Sequence, residues 1–304
     1  MNAKYFISTT IGLALTAACY STASASSLPL LGSTADTFAV LAAAGITSSG
    51  ATTIDGNVGS GPTNTIIGFP PATITGGALT SIAVAQQAQS DALTAYNFLA
   101  LQTPTLDLTG TDLGGLTLTP GVYSFSSSAF LTGTLTLDAG GASNAVFIFQ
   151  TGSTLTTANN ATVTLINGNS TDGIFWQVGS SATLGDSSTF LGNILANTSI
   201  TIDPLASISC GRALAGIGAV SGAVTMADGN NVATNSGTAC VGGYGGGYQS
   251  TLNGGFELIG GGVSGGGTTS VPEPSSLALI FGSCLAGLTL LRRRDRTAPQ
   301  AQAV

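Results

Sequence analysis

The stretch IFWQVGSSATLGDSSTFLGNILANTSITI, residues 174–202, consists of short apolar–polar alternations separated by glycine, serine and asparagine. Alternation with a period of two is typical of β-strands that bury one face. The small polar residues between the alternations favour tight turns. The stretch therefore predicts several short strands joined by turns.

The same pattern recurs along the chain at a nearly constant interval. Phe175, Ile194 and Ala213 are each nineteen residues apart, and Leu184 precedes Ile202 by eighteen. Three strands in each period of this length indicate a β-solenoid of triangular cross-section. Successive coils would stack about 4.8 Å apart, with Leu, Ile, Val and Phe lining the interior.

One series of strands predicts a flat, hydroxyl-rich face. If Leu155, Leu184, Ile200 and Val224 point inward, their neighbours point outward. The outward residues predicted as a ligand-binding face are Thr154, Thr156, Thr183, Ser199, Thr201 and Thr225. Each threonine offers a methyl group beside a hydroxyl, and its χ1 is stiff, so we expect the array to order water into a lattice that can merge with ice.

Two alternatives to this interpretation stay open. Threonine is favoured on any exposed strand, so the array is also explained by strand formation alone. A second series, with Thr134, Thr136, Thr162 and Thr164, is equally able to form the flat face.

One segment departs from the β pattern. Residues 79–102 lack glycine and proline, Thr80 or Ser81 can cap the start, and Pro104 follows the end. We predict a helix of about five turns. Its packing stripe is predicted to consist of Ile82, Ala85, Gln89, Leu93, Tyr96 and Ala100.

The charge distribution excludes several classes of function. Charged residues make up 6% of the chain, against roughly 25% in an ordinary domain. Arg212 is the only basic residue between Lys4 and the C-terminal arginines, and histidine is absent. Nucleic-acid binding and histidine-based catalysis are therefore not expected. We expect Arg212 to pair with an acidic neighbour or with carbonyl groups.

An enzymatic alternative would need paired carboxylates, as in polysaccharide hydrolases. Asp172, Asp186 and Asp203 are the candidates on successive coils. Each lies beside glycine, serine or proline, where aspartate usually serves a turn. We therefore predict that the protein is not an enzyme, and no cofactor or metal ion is expected, since no acidic loop has ligand spacing.

Four segments are predicted along the chain. Residues 1–25 resemble a secretory signal peptide, with Lys4, an apolar stretch and an A-x-A cleavage site. A lipoprotein signal ending at Cys19 is the alternative. Residues 26–240 form the folded domain, 241–270 a flexible glycine-rich linker, and 271–296 a sorting tail with a short transmembrane segment.

The tail has its own order of features. "VPEP", an apolar run and an arginine cluster follow one another from Val271. This order resembles a PEP-CTERM sorting signal, although an ordinary tail anchor is the simpler alternative. The resemblance implies exosortase processing and placement at the surface of a Gram-negative bacterium, or secretion, with membrane attachment only through the unprocessed tail.

Cys210 and Cys240 are the two cysteines outside the targeting segments. Because an exported chain meets an oxidising compartment, we predict that they form one disulfide.

Several segments resemble the microbial ice-binding (antifreeze) protein family. They are TFAVLAAAGIT (37–47), IIGFPPATITG (66–76), AQQAQSDALTAYN (85–97), DLGGLTLTPGVYSF (112–125), LTGTLTLDAGGASNAVFIFQTGSTLTT (131–157), residues 174–202, and GRALAG (211–216). The resemblance implies a discontinuous right-handed β-solenoid in which an N-terminal coil sits beside the C-terminal coils and one long helix lies alongside.

The resemblance also implies adsorption to ice through one uncovered flat face. A Thr-Ala/Gly-x-Thr/Asn motif of the family's ice face matches at Thr157-Ala158-Asn159-Asn160, and Ile46-Thr47 is a candidate N-terminal rung. Ice or ordered water is thus the expected partner. The alternative function is a structural or adhesive protein associated with extracellular polysaccharide.

Overall fold

The structure is a computed structural model that describes residues 30–219, 221–234, 245, 248–250 and 256–258. In it, the short apolar–polar alternations form β-strands. The helices are α1 (Gly32–Ala35) and α2 (Ile82–Ala100). The strands are β1 (Phe38–Ala42), β2 (Gly45–Ser48), β3 (Thr53–Asp55), β4 (Asn57–Ser60), β5 (Ile66–Ile67), β6 (Thr73–Thr75), β7 (Leu106–Asp107), β8 (Thr117–Leu118), β9 (Gly121–Phe125), β10 (Ala129–Leu131), β11 (Thr134–Asp138), β12 (Val146–Thr151), β13 (Leu155–Thr157), β14 (Thr162–Ile166), β15 (Gly173–Val178), β16 (Ala182–Leu184), β17 (Thr189–Ala196), β18 (Ile200–Ile202), β19 (Ser207–Ala215), β20 (Ala223–Met226), β21 (Asn231–Ala233), β22 (Tyr248–Ser250) and β23 (Phe256–Leu258). The prediction of a mainly β fold is confirmed.

Successive strands occupy three faces in turn, and each circuit is one rung of the solenoid. Face A contains β7, β9, β12, β15, β1, β4 and the second halves of β17 and β19. Face B is the seven-stranded sheet β10-β13-β16-β18-β20-β2-β5. Face C contains β8, β11, β14, β21, β3, β6 and the first halves of β17 and β19. All strands of the three faces pair in parallel, as stacked rungs require.

Faces A and C belong to one sheet because β17 and β19 continue from face C into face A. The first half of β17 pairs with β14 and its second half with β15. Gly192 lies between the halves with φ +97, and a Cβ there would be 2.5 Å from the side chain of Ile174. Both the backbone conformation and the close approach restrict this position to glycine.

The rung spacing is not nineteen residues throughout, and this changes one predicted alignment. Strand β17 pairs with β15 at a spacing of eighteen residues, whereas one extra residue in β19 raises the spacing between the second halves of β17 and β19 to nineteen. Ile194 pairs with Ala213, as the nineteen-residue spacing predicts. The alignment of Phe175 with Ile194 is wrong, because Trp176 pairs with Ile194. Trp176 therefore lies inside the solenoid, whereas Phe175 faces the helix.

The solenoid is discontinuous. Strands β1, β2 and β3 near the N-terminus pair with β19, β20 and β21, and β4, β5 and β6 form the rung beyond them. Helix α2 then contacts β4 and β1, as well as β15 and β12. The chain resumes with β7 beside β9, at the opposite end of the stack. The expected N-terminal coil beside C-terminal coils is thus present.

Helix α2 covers face A through a stripe of small residues. The buried residues of the helix are Ala85, Ala88, Ala92, Ala95, Phe98 and Leu99. The predicted stripe is wrong at both ends, since Ile82 is 38% exposed and Ala100 is exposed, and Gln89, Leu93 and Tyr96 are half-buried. Alanines allow the helix to approach the sheet closely. The predicted stripe was chosen mainly by larger side chains and therefore missed Ala88, Ala92 and Ala95.

Aromatic rings form a stack inside the solenoid. The ring centroids of Phe149 and Trp176 are 3.8 Å apart, with Tyr123 5.4 Å beyond Phe149 and Phe190 4.8 Å beyond Trp176. The indole N–H of Trp176 donates to the Leu191 carbonyl at 3.0 Å. Side chains from three successive rungs thus stabilise the stacking of the rungs.

Arg212 has the acidic partner that the sequence predicts. Its guanidinium lies 2.8 Å from the carboxylate of Asp36 and donates to the Asp36 carbonyl and to Asn193 Oδ1. Arg212 is 1% exposed. This buried pair fastens the segment before β1 to β19, where the two ends of the domain meet.

Short pieces of the glycine-rich range 241–270 have described structure, while the flexible linker itself stays a prediction. Gly245 forms an isolated bridge with Gly173, and β22 and β23 form an antiparallel hairpin. The ring of Phe256 packs edge-on against Phe98 of α2, with centroids 5.2 Å apart. Two aromatic residues therefore fix part of this range to the helix side of the domain.

Several predicted features lie outside the described residues, namely the segments 1–25 and 271–296 and Cys240. Cys210 is disulfide-bonded, and its pairing with Cys240 stays a prediction. Within the described parts of the chain, neither helix combines the length and the apolar character needed to span a membrane.

Candidate functional site

Face B presents one outward side chain from each rung in continuous register. The order along the sheet is Phe130, Thr156, Thr183, Thr201, Thr225, Thr47 and Ile67. We refer to the five consecutive threonines as the threonine ladder. The inward residues Leu155, Leu184, Ile200 and Val224 are fully buried, so the predicted orientation of these strands is confirmed.

The hydroxyls of the threonine ladder are open to solvent. Thr47 and Thr225 are exposed, and Thr156, Thr183 and Thr201 are half-exposed. Within the described residues, none of these side chains hydrogen-bonds to another protein group. Parallel pairing sets the rungs about 4.8 Å apart, so the ladder is a straight row of hydroxyl and methyl groups.

A second rank of hydroxyls lies two residues before the ladder position on four consecutive rungs, whereas Ala223 and Gly45 occupy this position before Thr225 and Thr47. Its members are Ser128, Thr154, Ser181 and Ser199. Ser128 and Thr154 share a hydrogen bond of 2.8 Å, and the hydroxyls of Ser181 and Thr198 are 2.6 Å apart. These bonds hold the second rank in fixed orientations, so its oxygens have less bonding capacity left for a ligand than those of the ladder.

The six predicted site residues fall into these two ranks. Thr156, Thr183, Thr201 and Thr225 belong to the ladder, whereas Thr154 and Ser199 belong to the second rank. Four residues of face B were not predicted, namely the second-rank serines Ser128 and Ser181 and the apolar residues Phe130 and Ile67 at the ends of the ladder. Their signal is their position two residues before, or one rung beyond, a predicted threonine.

The motif Thr157-Ala158-Asn159-Asn160 does not lie on the open surface of face B. Thr157 is 3% exposed, and its hydroxyl accepts a hydrogen bond from the Gly185 amide at 2.9 Å. Asn159 Oδ1 accepts from the Asp186 amide, and Asn160 has φ +58. The motif therefore shapes the turn between faces B and C.

Face C is the alternative hydroxylated surface. One rank contains Thr134, Thr162, Thr189, Ser207, Asn231, Thr53 and Thr73 in register. The neighbouring rank contains Thr117, Thr136 and Thr164 but continues with Leu191, Ser209, Ala233, Asp55 and Thr75. A carboxylate and a buried leucine thus interrupt face C, whereas the two ranks of face B contain no charged residue.

The three carboxylates of the enzymatic alternative occupy different corners. Asp172 lies between faces C and A, and Asp186 and Asp203 lie between faces B and C. Asp172 is fully buried, and its oxygens accept from the amides of Ala145 and Asn169 at 2.8 and 2.7 Å. Burial raises the pKa of Asp172 and the backbone hydrogen bonds oppose that shift. The side chain of Asp172 thus serves a turn, as its sequence context predicts, and the three carboxylates lie in separate turns.

A family model described as "Ice-binding-like" matches residues 40–233, which contain every rung from β2 to β21. The chain belongs to the ice-binding protein family. It is 47% identical over 272 residues to an ice-binding protein of Nostoc sp. (strain HG1), which covers 90% of this chain and 89% of the relative. A 34% identity to the ice-binding protein of Flavobacterium frigoris (strain PS1) covers 59% of this chain and 68% of that relative.

Solved structures of family members have the same fold. The ice-binding protein of the Antarctic ascomycete Antarctomyces psychrotrophicus superimposes with a TM-score of 0.61 at 36% identity, covering 70% of this chain and all of that one. An ice-binding protein from an Antarctic biological consortium gives a TM-score of 0.62 at 37% identity, covering 76% and 96%. These named relatives are ice-binding proteins and not enzymes.

Proposed function

We propose that the protein adsorbs to ice through face B and thereby inhibits ice growth or recrystallisation, without enzymatic activity. The observation that supports this most directly is the threonine ladder, five side chains in unbroken register on a face that the helix leaves uncovered. Family membership and the names of the relatives support the same ligand.

The chemistry of threonine explains how such a row acts on water. Its methyl group favours water arranged around it in a cage, and its hydroxyl anchors that water by hydrogen bonds. Because β-branching restricts χ1, little side-chain entropy is lost when the layer orders. A charged group would impose its own hydration, and neither rank of face B contains one.

The proposal is tested by one substitution on each of two faces of the same rung. Thr183 of β16 lies in the ladder, and Thr189 of β17 lies on face C. Thr183→Tyr places a bulky ring in the ladder and is expected to abolish most thermal hysteresis. Thr189→Tyr is the matched control and is expected to leave hysteresis near the wild-type level.

Circular dichroism melting of both variants checks the fold, and both midpoints are expected to stay close to wild type because the two sites are at the surface. The opposite result, activity lost in Thr189→Tyr and kept in Thr183→Tyr, would move the ice site to face C. Undiminished activity in both variants would exclude the ladder.

For the rest of the chain we propose export by the signal at 1–25 and surface display or secretion through the tail at 271–296. The VPEP motif, the apolar run and the arginine cluster support processing by an exosortase in a Gram-negative bacterium. Mass spectrometry of the protein recovered from the cell surface tests this, since an intact C-terminus on all molecules would contradict it.

A second candidate function is attachment to extracellular polysaccharide. The placement implied by the sorting tail supports it, and it is compatible with ice adsorption because face B is only one of the three faces of the solenoid.

A further inference from the structure

Along one row of side chains on face A, the residues change from polar to apolar. At one register position the residues in rung order are Asp107, Ser124, Gln150, Gln177, Leu195, Leu214 and Leu41. The three leucines pack beneath helix α2. The other four positions are polar, and they begin where the helix ends, since Gln150 donates to the carbonyls of Leu99 and Gln102 at the end of α2. Ser124 and Asp107 follow beyond it on the same face.

The polar residues line an open cleft. Its volume is about 410 Å³, within the range of small-molecule sites. The described residues around it are Tyr96, Asp107, Ser124, Phe125, Ser126, Gln150, Thr151, Gly152, Gln177 and Gly179. The cleft thus lies where the face A strands β7, β9, β12 and β15 end, beside the second half of α2. We call it the polar cleft.

Hydrogen-bonding capacity is left over in the polar cleft. Gln150 uses its amide nitrogen on the carbonyls of Leu99 and Gln102, both at 2.7 Å, which leaves its Oε1 as an acceptor. The hydroxyl of Thr151 is buried without a hydrogen-bond partner among the described residues. Because an unsatisfied buried polar group costs free energy, the floor of the cleft favours a polar occupant.

The lining also limits the charge of that occupant. None of the described residues that line the cleft is basic, so an anionic ligand finds no counter-charge. Hydrogen bonds from Thr109 lower the pKa of Asp107, and the resulting carboxylate repels anions and accepts hydroxyl donors. Tyr96 adds an aromatic ring with an apolar face.

We propose that the polar cleft binds neutral sugar residues of a glycan chain. Hydroxyl groups of a sugar match the amide, hydroxyl and carboxylate groups of the cleft, and the ring of Tyr96 lies beside the less polar face of the sugar. The four polar positions span three rung spacings, about 14 Å, so the cleft is long enough for more than one sugar unit.

The test uses the purified full chain and four defined probes. They are neutral tetrasaccharides of glucose, galactose and mannose, and a tetrasaccharide of galacturonic acid as the charged counterpart. Saturation-transfer NMR and calorimetric titration are expected to detect binding of at least one neutral probe and not of the galacturonate.

Ser126→Trp fills the cleft from its exposed rim and is expected to weaken binding at least about tenfold. Ser127→Trp is the matched control, because Ser127 is exposed next in the chain but does not line the cleft. Ser124→Ala removes one hydroxyl without adding bulk. Its glycan affinity provides a second test if Ser126→Trp does not fold. Ser124→Ala is expected to weaken binding severalfold.

The proposal is overturned if no neutral probe binds, if galacturonate binds equally well, or if Ser126→Trp and Ser124→Ala both bind like the wild type. Thr183→Tyr is expected to keep glycan binding in full, so failure of the ice proposal and failure of the glycan proposal are separate results.

Discussion

Thr47 of β2 lies directly beside Thr225 of β20 in parallel register, although the two residues come from opposite ends of the described domain. Ser49 and Met226 continue the junction through a backbone hydrogen bond of 2.9 Å. The seam between the N-terminal and C-terminal coils therefore does not interrupt the threonine ladder. Any surface that orders water over this face includes a residue from the first rung of the chain.

From this junction we expect Thr47→Tyr to reduce thermal hysteresis as strongly as Thr225→Tyr does. The physical reason is that both rings would stand in the same straight row of side chains. Thr53→Tyr on face C of the same rung is the control, and its hysteresis is expected to match the wild type. Loss of activity in Thr225→Tyr alone would show that the ice contact stops at the seam.

The ladder ends at apolar side chains, and this predicts a gain of activity. Ile67 is 56% exposed and pairs with Thr47. Ile67→Thr adds a sixth threonine, so we expect higher thermal hysteresis with a change in stability within about 0.5 kcal/mol. Ile166→Thr makes the same change on face C and is expected to have no effect. Equal or lower hysteresis in Ile67→Thr would contradict the prediction.

Arg212 predicts a large loss of stability. Arg212→Ala leaves the Asp36 carboxylate and the Asn193 side chain without their buried cation, and removal of one partner of such a pair costs about 3–5 kcal/mol. Urea unfolding followed by fluorescence measures this, since Trp176 is the only tryptophan and is buried. Asp36→Asn keeps a hydrogen-bonding side chain and is expected to lose less. A cost below about 1 kcal/mol, typical of surface pairs, would show that the pair is not structural.

The absence of histidine predicts a flat response to pH near neutrality. No side chain with an unperturbed pKa near 6.5 is available, so the melting midpoint is expected to stay constant between about pH 6 and pH 8. In acid the carboxylates act in opposite directions. Hydrogen bonds from Asn167 and Gly140 lower the pKa of Asp138 below its usual 3.8, and its contribution is lost as the pH falls through that lowered value.

Burial raises the pKa of Asp172. Its contribution is therefore fully present below pH 3.8, the ordinary value for aspartate, and is lost as the pH rises through the raised value. Melting curves between pH 3 and pH 9 test both statements. A shift of the midpoint by several degrees between pH 6 and pH 8 would require a titrating group that these assignments lack.

Local alternation was sufficient to predict the orientation of face B. Leu155 and Val224 point inward because a strand alternates its side chains, and this rule needs only neighbouring residues. The alignment of Phe175 failed because the spacing of nineteen holds only between the second halves of β17 and β19, where β19 has one extra residue, while β15 and β17 pair at eighteen. A difference of one residue reverses the faces of a strand. The spacing of apolar residues does not reveal where such a shift falls.

Long-range features were predictable only by resemblance. The pairing of β2 with β20 leaves no periodic signal, because the partners are separated by most of the domain. The helix stripe was misplaced because Ala88 and Ala92 are only weakly apolar. They are buried because their small side chains let the helix backbone lie close to the sheet. The polar residues Gln150 and Gln177 have no motif of their own, and only their common register on face A brings them together.

The order of rungs in space differs from the order in which the ribosome makes them. Strands β1 to β3 are synthesised first, but their neighbours β19 to β21 emerge last. The edges of β1 to β3 that pair with β19 to β21 therefore stay unpaired until nearly the whole domain has been synthesised. Contacts between residues this distant slow folding. Closure of the solenoid is therefore expected to be a step that follows synthesis of the last rungs.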